Sequence, residues 1–153
     1  MVAYNFQPAF QAAIRDGSKD LTFRRIGVAK HARPGDRIPL LFPQGPGKKA
    51  AGVTALCVLR AQVMITGAGV LRIVGPVLTF NDHGAGLARL LEACEQAMPQ
   101  AAEHLPRLAA HDGFADWPAL WTWQRDNARD DESAHELARI VIGWNPATIE
   151  ERA

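Results

Sequence analysis

The chain has 153 residues, 48% of them apolar and 22% charged, a balance that suits one folded domain and excludes a disordered chain. Seventeen basic and sixteen acidic side chains leave a net charge of +1, which excludes a strongly basic nucleic-acid coat and an acidic tail. The charge is uneven along the chain. Residues 1–60 carry ten basic and three acidic side chains, net +7, whereas residues 61–153 carry seven and thirteen, net −6. An anionic partner is therefore expected for the N-terminal part.

The opening run Met1–Phe6 lacks a basic segment followed by an apolar one, so no secretory leader is expected. Val53–Phe80 is the most apolar stretch, but Arg60, Gln62, Arg72 and several glycines interrupt it. It falls short of the ~20 uninterrupted apolar residues of a membrane span. Cys57 and Cys94 stand 37 residues apart, without CxxC or metal-type spacing. They read as buried, reduced thiols of a cytoplasmic protein.

Val2–Phe6 predicts a short strand. Pro8–Asp16 predicts a short helix, with Pro8 in its first turn and Gly17 as its stop. Asp20–Ile26 predicts a strand, Lys30–Asp36 a basic loop, and Arg37–Phe42 a strand in which Pro39 points to an edge or a bulge. Pro43–Lys49 (PQGPGKK) is the most loop-like segment. Gly52–Ile65 is long, β-branched and apolar, and predicts a strand; Gly67-Ala68-Gly69 turns it into a second long strand, Val70–Phe80, bent or broken at Gly75-Pro76.

From Gly86 the apolar period becomes helical through Leu87, Leu90, Leu91 and Cys94, and Pro99 is expected to end that helix. Leu105–Ala110 predicts a second helix ending near Gly113. Asp116 is placed to cap a third that carries Pro118, Leu120, Trp121 and Trp123. Asn127–Glu136 predicts a charged loop, and Leu137–Trp144 a closing strand ended by Asn145-Pro146. The expected fold is α+β: a small mixed β-barrel of five or six strands with flanking short helices, in a single domain over residues 1–153.

Several reaction classes find no support. GxxxxGK[ST] and GxGxxG are absent, HExxH is missing, and no GxSxG elbow occurs. His104 and His111 share a helical spacing, but no further ligand completes a set, so no metal and no cofactor is expected. Trp117, Trp121 and Trp123 cluster on one helix, as core packing or as a base-stacking platform. The chemistry-bearing stretch is Gly17–Arg25, followed by His31–Asp36. It places Lys19, Thr22, Arg24 and Arg25 in a compact anion-binding edge, with Thr22 and Arg24 on one strand face. Lys30, His31, Arg33, Lys48 and Lys49 are further candidate anion or nucleic-acid contacts.

Gly17, Lys19, Thr22 and Arg24 form a G-x-K-x-x-T-x-R segment that resembles the signature of the ASCH domain, a relative of the PUA domain. Pro34–Ile38, Asp112–Trp117 and Ala138–Trp144 resemble later segments of that family in the same order. Lys30–Asp36 is similar to small ASCH-type proteins of bacteria and their phages. The resemblance implies a PUA-like barrel with a cleft for RNA or a modified nucleoside. Some members deacylate N-acylated cytidine, and others are described as ribonucleases. In the deacylases a lysine, a threonine and a glutamate act together; carried over, these are Lys19 as base, Thr22 as nucleophile or water-positioning group, and Asp112 as acid. Asp112 stands where the family carries glutamate, one methylene longer. A regular strand beginning at Lys19 would set Lys19 and Thr22 on opposite faces, so a turn over 17–20 is needed to bring them together. A non-catalytic interaction module is the remaining alternative. The expected partner is RNA or a nucleoside, with no membrane association.

Overall fold

A computed structural model describes residues 2–27, 30–95 and 100–152. Strand β1 (Tyr4–Asn5) leads through a single turn of tight helix at Pro8–Phe10 into α1 (Gln11–Asp16). Strands β2 (Leu21–Arg25), β3 (Arg37–Phe42) and β4 (Ala51–Thr66) follow, then the short β5 (Leu71–Ile73) and β6 (Leu78–Thr79). Three helices come next, α2 (Ala85–Cys94), α3 (Gln100–His111) and α4 (Trp117–Asp126), before the long β7 (Glu136–Glu151). The architecture is α+β, as expected.

The strands make one mixed sheet in the order β1-β3-β4-β7-β2, with β5 and β6 pairing the far half of β4. Only β1 and β3 run parallel. In a flat sheet the outer strands β1 and β2 would lie four strand spacings of about 4.8 Å apart. Here the Arg24 guanidinium on β2 donates to the Asn5 carbonyl on β1 at 2.8 Å. The sheet is therefore curled into a half-barrel whose two edges face each other without pairing.

Two apolar cores follow from the curl. One lies inside it, built from Tyr4, Phe6, Ile14, Leu40, Ile142 and Trp144 among others. The other joins the outer face to α2, α3 and α4 through residues such as Phe23, Leu59, Leu91, Leu108 and Leu120. Strand β4 serves both. Between Cys57 and Leu59 it advances two residues while β7 advances one, from Trp144 to Gly143. That is a β-bulge at Val58, and with a side-chain period of two it reverses the facing of everything beyond it. Val53, Ala55 and Cys57 thus join the inner core, while Leu59, Ala61, Val63 and Ile65, odd-numbered too, join the outer one. Cys57 and Cys94 are buried free thiols, and burial pushes them up to about 11 and about 12.

Three expectations are corrected. The second long strand, Val70–Phe80, is broken at Gly75-Pro76, one of the two outcomes expected there, but its pieces are far shorter than expected, only β5 and β6. Helix α3 starts five residues before Leu105 and accommodates Pro106, because Ala101, Leu105 and Leu108 form a continuous buried stripe. Strand β7 does not end at Asn145-Pro146. The excursion is absorbed as a register shift: Thr148 donates to the Asn145 carbonyl at 2.6 Å and accepts from Leu56 N–H at 2.9 Å, after which Glu150 and Glu151 pair with β4 again. Pro99, the expected end of α2, lies outside the described residues. No helix among the described residues is long and apolar enough to cross a membrane.

The bulge frees the Val58 carbonyl, which accepts from Phe80 N–H at 3.1 Å and abuts Gly84, the left-handed residue (φ 85°) before α2. A Cβ on Gly84 would overlap that oxygen. Gly84→Ala is expected to lower stability by about 1–3 kcal/mol in urea unfolding. Gly86→Ala, two residues on in open space, is the control and is expected to leave stability equal or slightly raised.

Candidate functional site

The seam between β1 and β2 opens into a cleft of about 260 Å³. Asn5, Phe6, Gln7 and Phe10 form one wall and residues 22–25 of β2 the other. The α3–α4 corner and α4 close its end with Asp112, Phe114, Trp123, Gln124 and Asn127, and Arg139 of β7 lies at the back. Phe10, Phe114 and Trp123 meet in a three-ring cluster, with centroids 5.7, 5.9 and 6.0 Å apart.

Lys19 reaches this cleft because 17–20 is a turn. Gly17 ends α1 in the left-handed conformation (φ 86°), and Lys19 N–H donates back to the Ala13 carbonyl at 3.0 Å. Lys19 and Thr22 thereby line one cavity, as the sequence argument requires. The Lys19 ammonium is 1% exposed. It donates to the Leu21 carbonyl at 2.9 Å, to the Asp112 carbonyl at 2.7 Å and to the Asp112 carboxylate. It also lies 5.3 and 5.0 Å from the Phe6 and Phe10 ring centroids. Burial pulls the Lys19 amine below its ordinary value and pushes the Asp112 carboxyl above its own, while their mutual attraction opposes both shifts.

The neighbouring residues repeat the link with opposite signs. His111 Nδ1 donates to the Asp20 carboxylate at 2.7 Å, and Asp20 N–H donates to the His111 carbonyl at 3.0 Å. Two consecutive residues of the β2 approach thus hold two consecutive residues at the end of α3.

Strand β2 is a sheet edge, yet its outward carbonyls are all occupied. Leu21 O accepts from Lys19 Nζ at 2.9 Å, Phe23 O from Gln124 Nε2 at 3.3 Å, and Arg25 O from His31 Nε2 at 2.9 Å. On the other face Arg24 Nε donates to Thr22 Oγ1 at 3.1 Å, and its guanidinium stacks 5.3 Å from the Tyr4 ring centroid and 4.6 Å from that of Phe6. Arg139 is 1% exposed and donates to Gln124 Oε1 at 2.7 Å and to Glu132 Oε2 at 2.6 Å.

No protein-family model matches the chain, and neither a curated protein nor a solved structure matches it. The site is therefore judged on its own geometry. Lys19, Thr22, Arg24, Arg25 and Asp112, all expected from sequence, come together around the cleft. Thr22 bonds to Arg24, and no hydrogen bond joins it to Lys19 among the described residues.

Lys30, Lys48 and Lys49 are exposed and do not line the cleft. Arg33 lines a separate groove with Arg60, Gln62 and Leu78. His31 is not a free anion contact. Its Nε2 donates to Arg25 O, and its Nδ1 accepts from the Tyr4 hydroxyl at 3.2 Å; burial holds it below the usual histidine range. No group of His, Cys, Asp and Glu among the described residues is placed to hold a metal.

Sequence reasoning left the three tryptophans between core packing and base stacking, and did not foresee that α4 closes the end of the cleft. Trp117 and Trp121 are core residues, whereas Trp123 is half-buried and lines the cleft. The signal was present: 117, 120, 121 and 124 make the buried helical stripe, and 123 lies off it. Gln124, Asn127 and Arg139 carried no such mark.

Lys19→Met, which strands a buried carboxyl, is expected to cost about 3–5 kcal/mol in urea unfolding. The double variant Lys19→Met/Asp112→Leu is expected to recover most of that loss, because neither partner is left as an unpaired buried ion. The hydrogen bond to Asp20, aided by the carboxylate charge and opposed by burial, raises His111 above its unfolded value. Its stabilisation is therefore complete below about pH 6.5 and is lost as the pH rises through the folded value. The stability gap between wild type and His111→Gln is expected to be larger near pH ~5.5 than near pH ~8.5, measured by unfolding at both.

Proposed function

We propose that this chain is an ASCH-type domain of the PUA-like superfamily that binds RNA or a modified nucleoside in the seam cleft. The observation that carries the reading is the meeting of Lys19, Thr22 and Arg24 with the half-exposed ring cluster of Phe10, Phe114 and Trp123 in one cavity. A base stacked on such a ring contributes about 1–3 kcal/mol regardless of its identity. Amide side chains at the rim, Asn5, Gln7 and Asn127, supply donors and acceptors for its polar edge. A cleft of about 260 Å³ suits one nucleoside unit rather than a long strand.

Titration of the protein with cytidine, its acylated form and a short RNA, followed by tryptophan fluorescence, tests the reading. Binding is expected, weakening with salt for RNA, and Trp123→Ala is expected to lower affinity by about tenfold or more. Absence of binding at micromolar protein in low salt overturns it.

A second reading, a small amidohydrolase of N-acylated cytidine, is favoured by the Lys19–Asp112 pair beside Thr22, where burial works toward the neutral forms of both partners. Proton passage from Lys19 to Asp112 leaves an amine that takes the Thr22 hydroxyl proton as Oγ1 attacks the acyl carbon. The C–N bond breaks, Asp112 returns its proton to the departing nitrogen, and water then hydrolyses the acyl-threonine ester. Chromatography of the acylated nucleoside should show turnover by wild type and none by Thr22→Val. An inert wild type removes this reading and leaves the binding one.

A further inference from the structure

The cleft has an excess of positive charge on one side. Lys19, Arg24, Arg25 and Arg139 line it, against Asp112 as the lining carboxylate among the described residues. Asp112 is paired with Lys19, and Glu132 reaches Arg139 from outside the lining. Arg24 and Arg25 have no carboxylate within ion-pair distance among the described residues; Arg24 bonds only neutral oxygens, those of Thr22 and Asn5. Arg25 also stands directly opposite Arg139 in the β2–β7 register. Glu132, bonded to Arg139, also acts on Arg25 through space and so offsets the like-charge pair, but it leaves the Arg25 guanidinium without a direct carboxylate contact among the described residues.

The backbone edge adds to the excess of donors. The three outward carbonyls of β2 are capped by Lys19, Gln124 and His31. In an antiparallel strand the N–H and C=O of one residue leave on the same side, so Phe23 N–H faces the cleft beside its capped carbonyl. The Thr22 hydroxyl accepts from Arg24, which leaves its own proton to donate. Among the described residues the acceptors along this edge are thus occupied, and what remains open is Phe23 N–H, Thr22 O–H, the Arg25 guanidinium and the remaining N–H groups of Arg24. Such an array recognises an anion with several oxygens.

We infer that the ligand of this cleft carries a phosphate, held along the β2 edge by Arg25, Arg24 and Thr22, with its base against the rings of Phe114 and Trp123. The inference rests on the nucleoside-binding reading above and narrows it to a nucleoside monophosphate unit, either a free nucleotide or the phosphorylated end of an RNA. Arg24, clamped between two rings and the Asn5 carbonyl, is pre-organised for that role, and Arg25 is the exposed and adjustable partner.

Calorimetric titration with cytidine, cytidine 5′- and 3′-monophosphate, a 5′-phosphorylated trinucleotide and inorganic phosphate tests it, on wild type and on Arg25→Gln. Arg25 is exposed on an edge strand, so the variant is expected to fold, and circular dichroism checks this. One of the monophosphates is expected to bind wild type about tenfold or more tighter than cytidine, a gap of about 1.4 kcal/mol. In Arg25→Gln that advantage is expected to shrink to about threefold or less. The trinucleotide binding more tightly than the monophosphate assigns the ligand to an RNA end, and equal binding assigns it to a free nucleotide. Equal affinity of wild type for cytidine and both monophosphates overturns the inference while leaving the nucleoside reading in place. An undiminished phosphate advantage in Arg25→Gln overturns it as well. Binding of inorganic phosphate that Arg25→Gln abolishes, with no nucleoside or nucleotide bound, upholds the anion site and overturns the nucleoside reading.

Discussion

The ion pair between Lys19 and Asp112 is the contact on which the arrangement of this protein turns. Two buried charges cost several kcal/mol of hydration, and they are tolerated only because each is matched and the ammonium donates three hydrogen bonds. With Asp20 and His111 beside them, they fasten the approach to β2 onto the end of α3. Without that fastening the helical layer would still cover the outer face through its apolar stripe. The α3–α4 corner, however, would lose its fixed distance from the sheet edge, and that corner closes the end of the cleft.

The second constraint is the unclosed seam. A curled sheet of this length leaves β1 and β2 facing each other with unpaired edges, and exposed edges invite pairing with other chains. The protein meets this with side chains rather than with a closing strand. Lys19, Gln124 and His31 occupy the outward carbonyls of β2, and Arg24 bridges to β1. The same residues that prevent edge pairing therefore decide which groups face the cleft. Protection of the edge and the donor-rich character of the cleft are here one set of hydrogen bonds.

Much of this was legible in the residues. Gly17 as a stop, Asp116 as a cap and the helical period from Leu87 to Cys94 each express local physics, and each stands in the structure. The grouping of Lys19, Thr22 and Arg24 was legible as well, through the turn that Gly17 permits. Long-range compensation was not legible. Pro106 stands near the expected start of a helix that in fact begins at Gln100, and Asn145-Pro146 inside β7 reads as a breaker. They are accommodated, one by a buried stripe of side chains and the other by a register shift fastened by Thr148. The bulge at Val58 has no local signature, because every residue around it is apolar and both facings are buried. For the same reason the end of the cleft that α4 closes was hidden: Gln124 and Asn127 look like ordinary polar helix positions until the edge they face is known.

Strand β7 is the last element in the order of the chain, yet it sits between β4 and β2 in the sheet. Its pairing of Gly143 with Leu21 joins residues 122 apart, so loop closure on that scale precedes any reward from the contact. During synthesis, the lysine, threonine and two arginines of the β2 wall emerge early and wait for a strand that is made last. A nascent chain halted before residue 136 holds every chemical group of the β2 wall but lacks the strand with which β2 pairs. Assembly of the cleft is thus a late event by topology, completed only after translation has passed through β7.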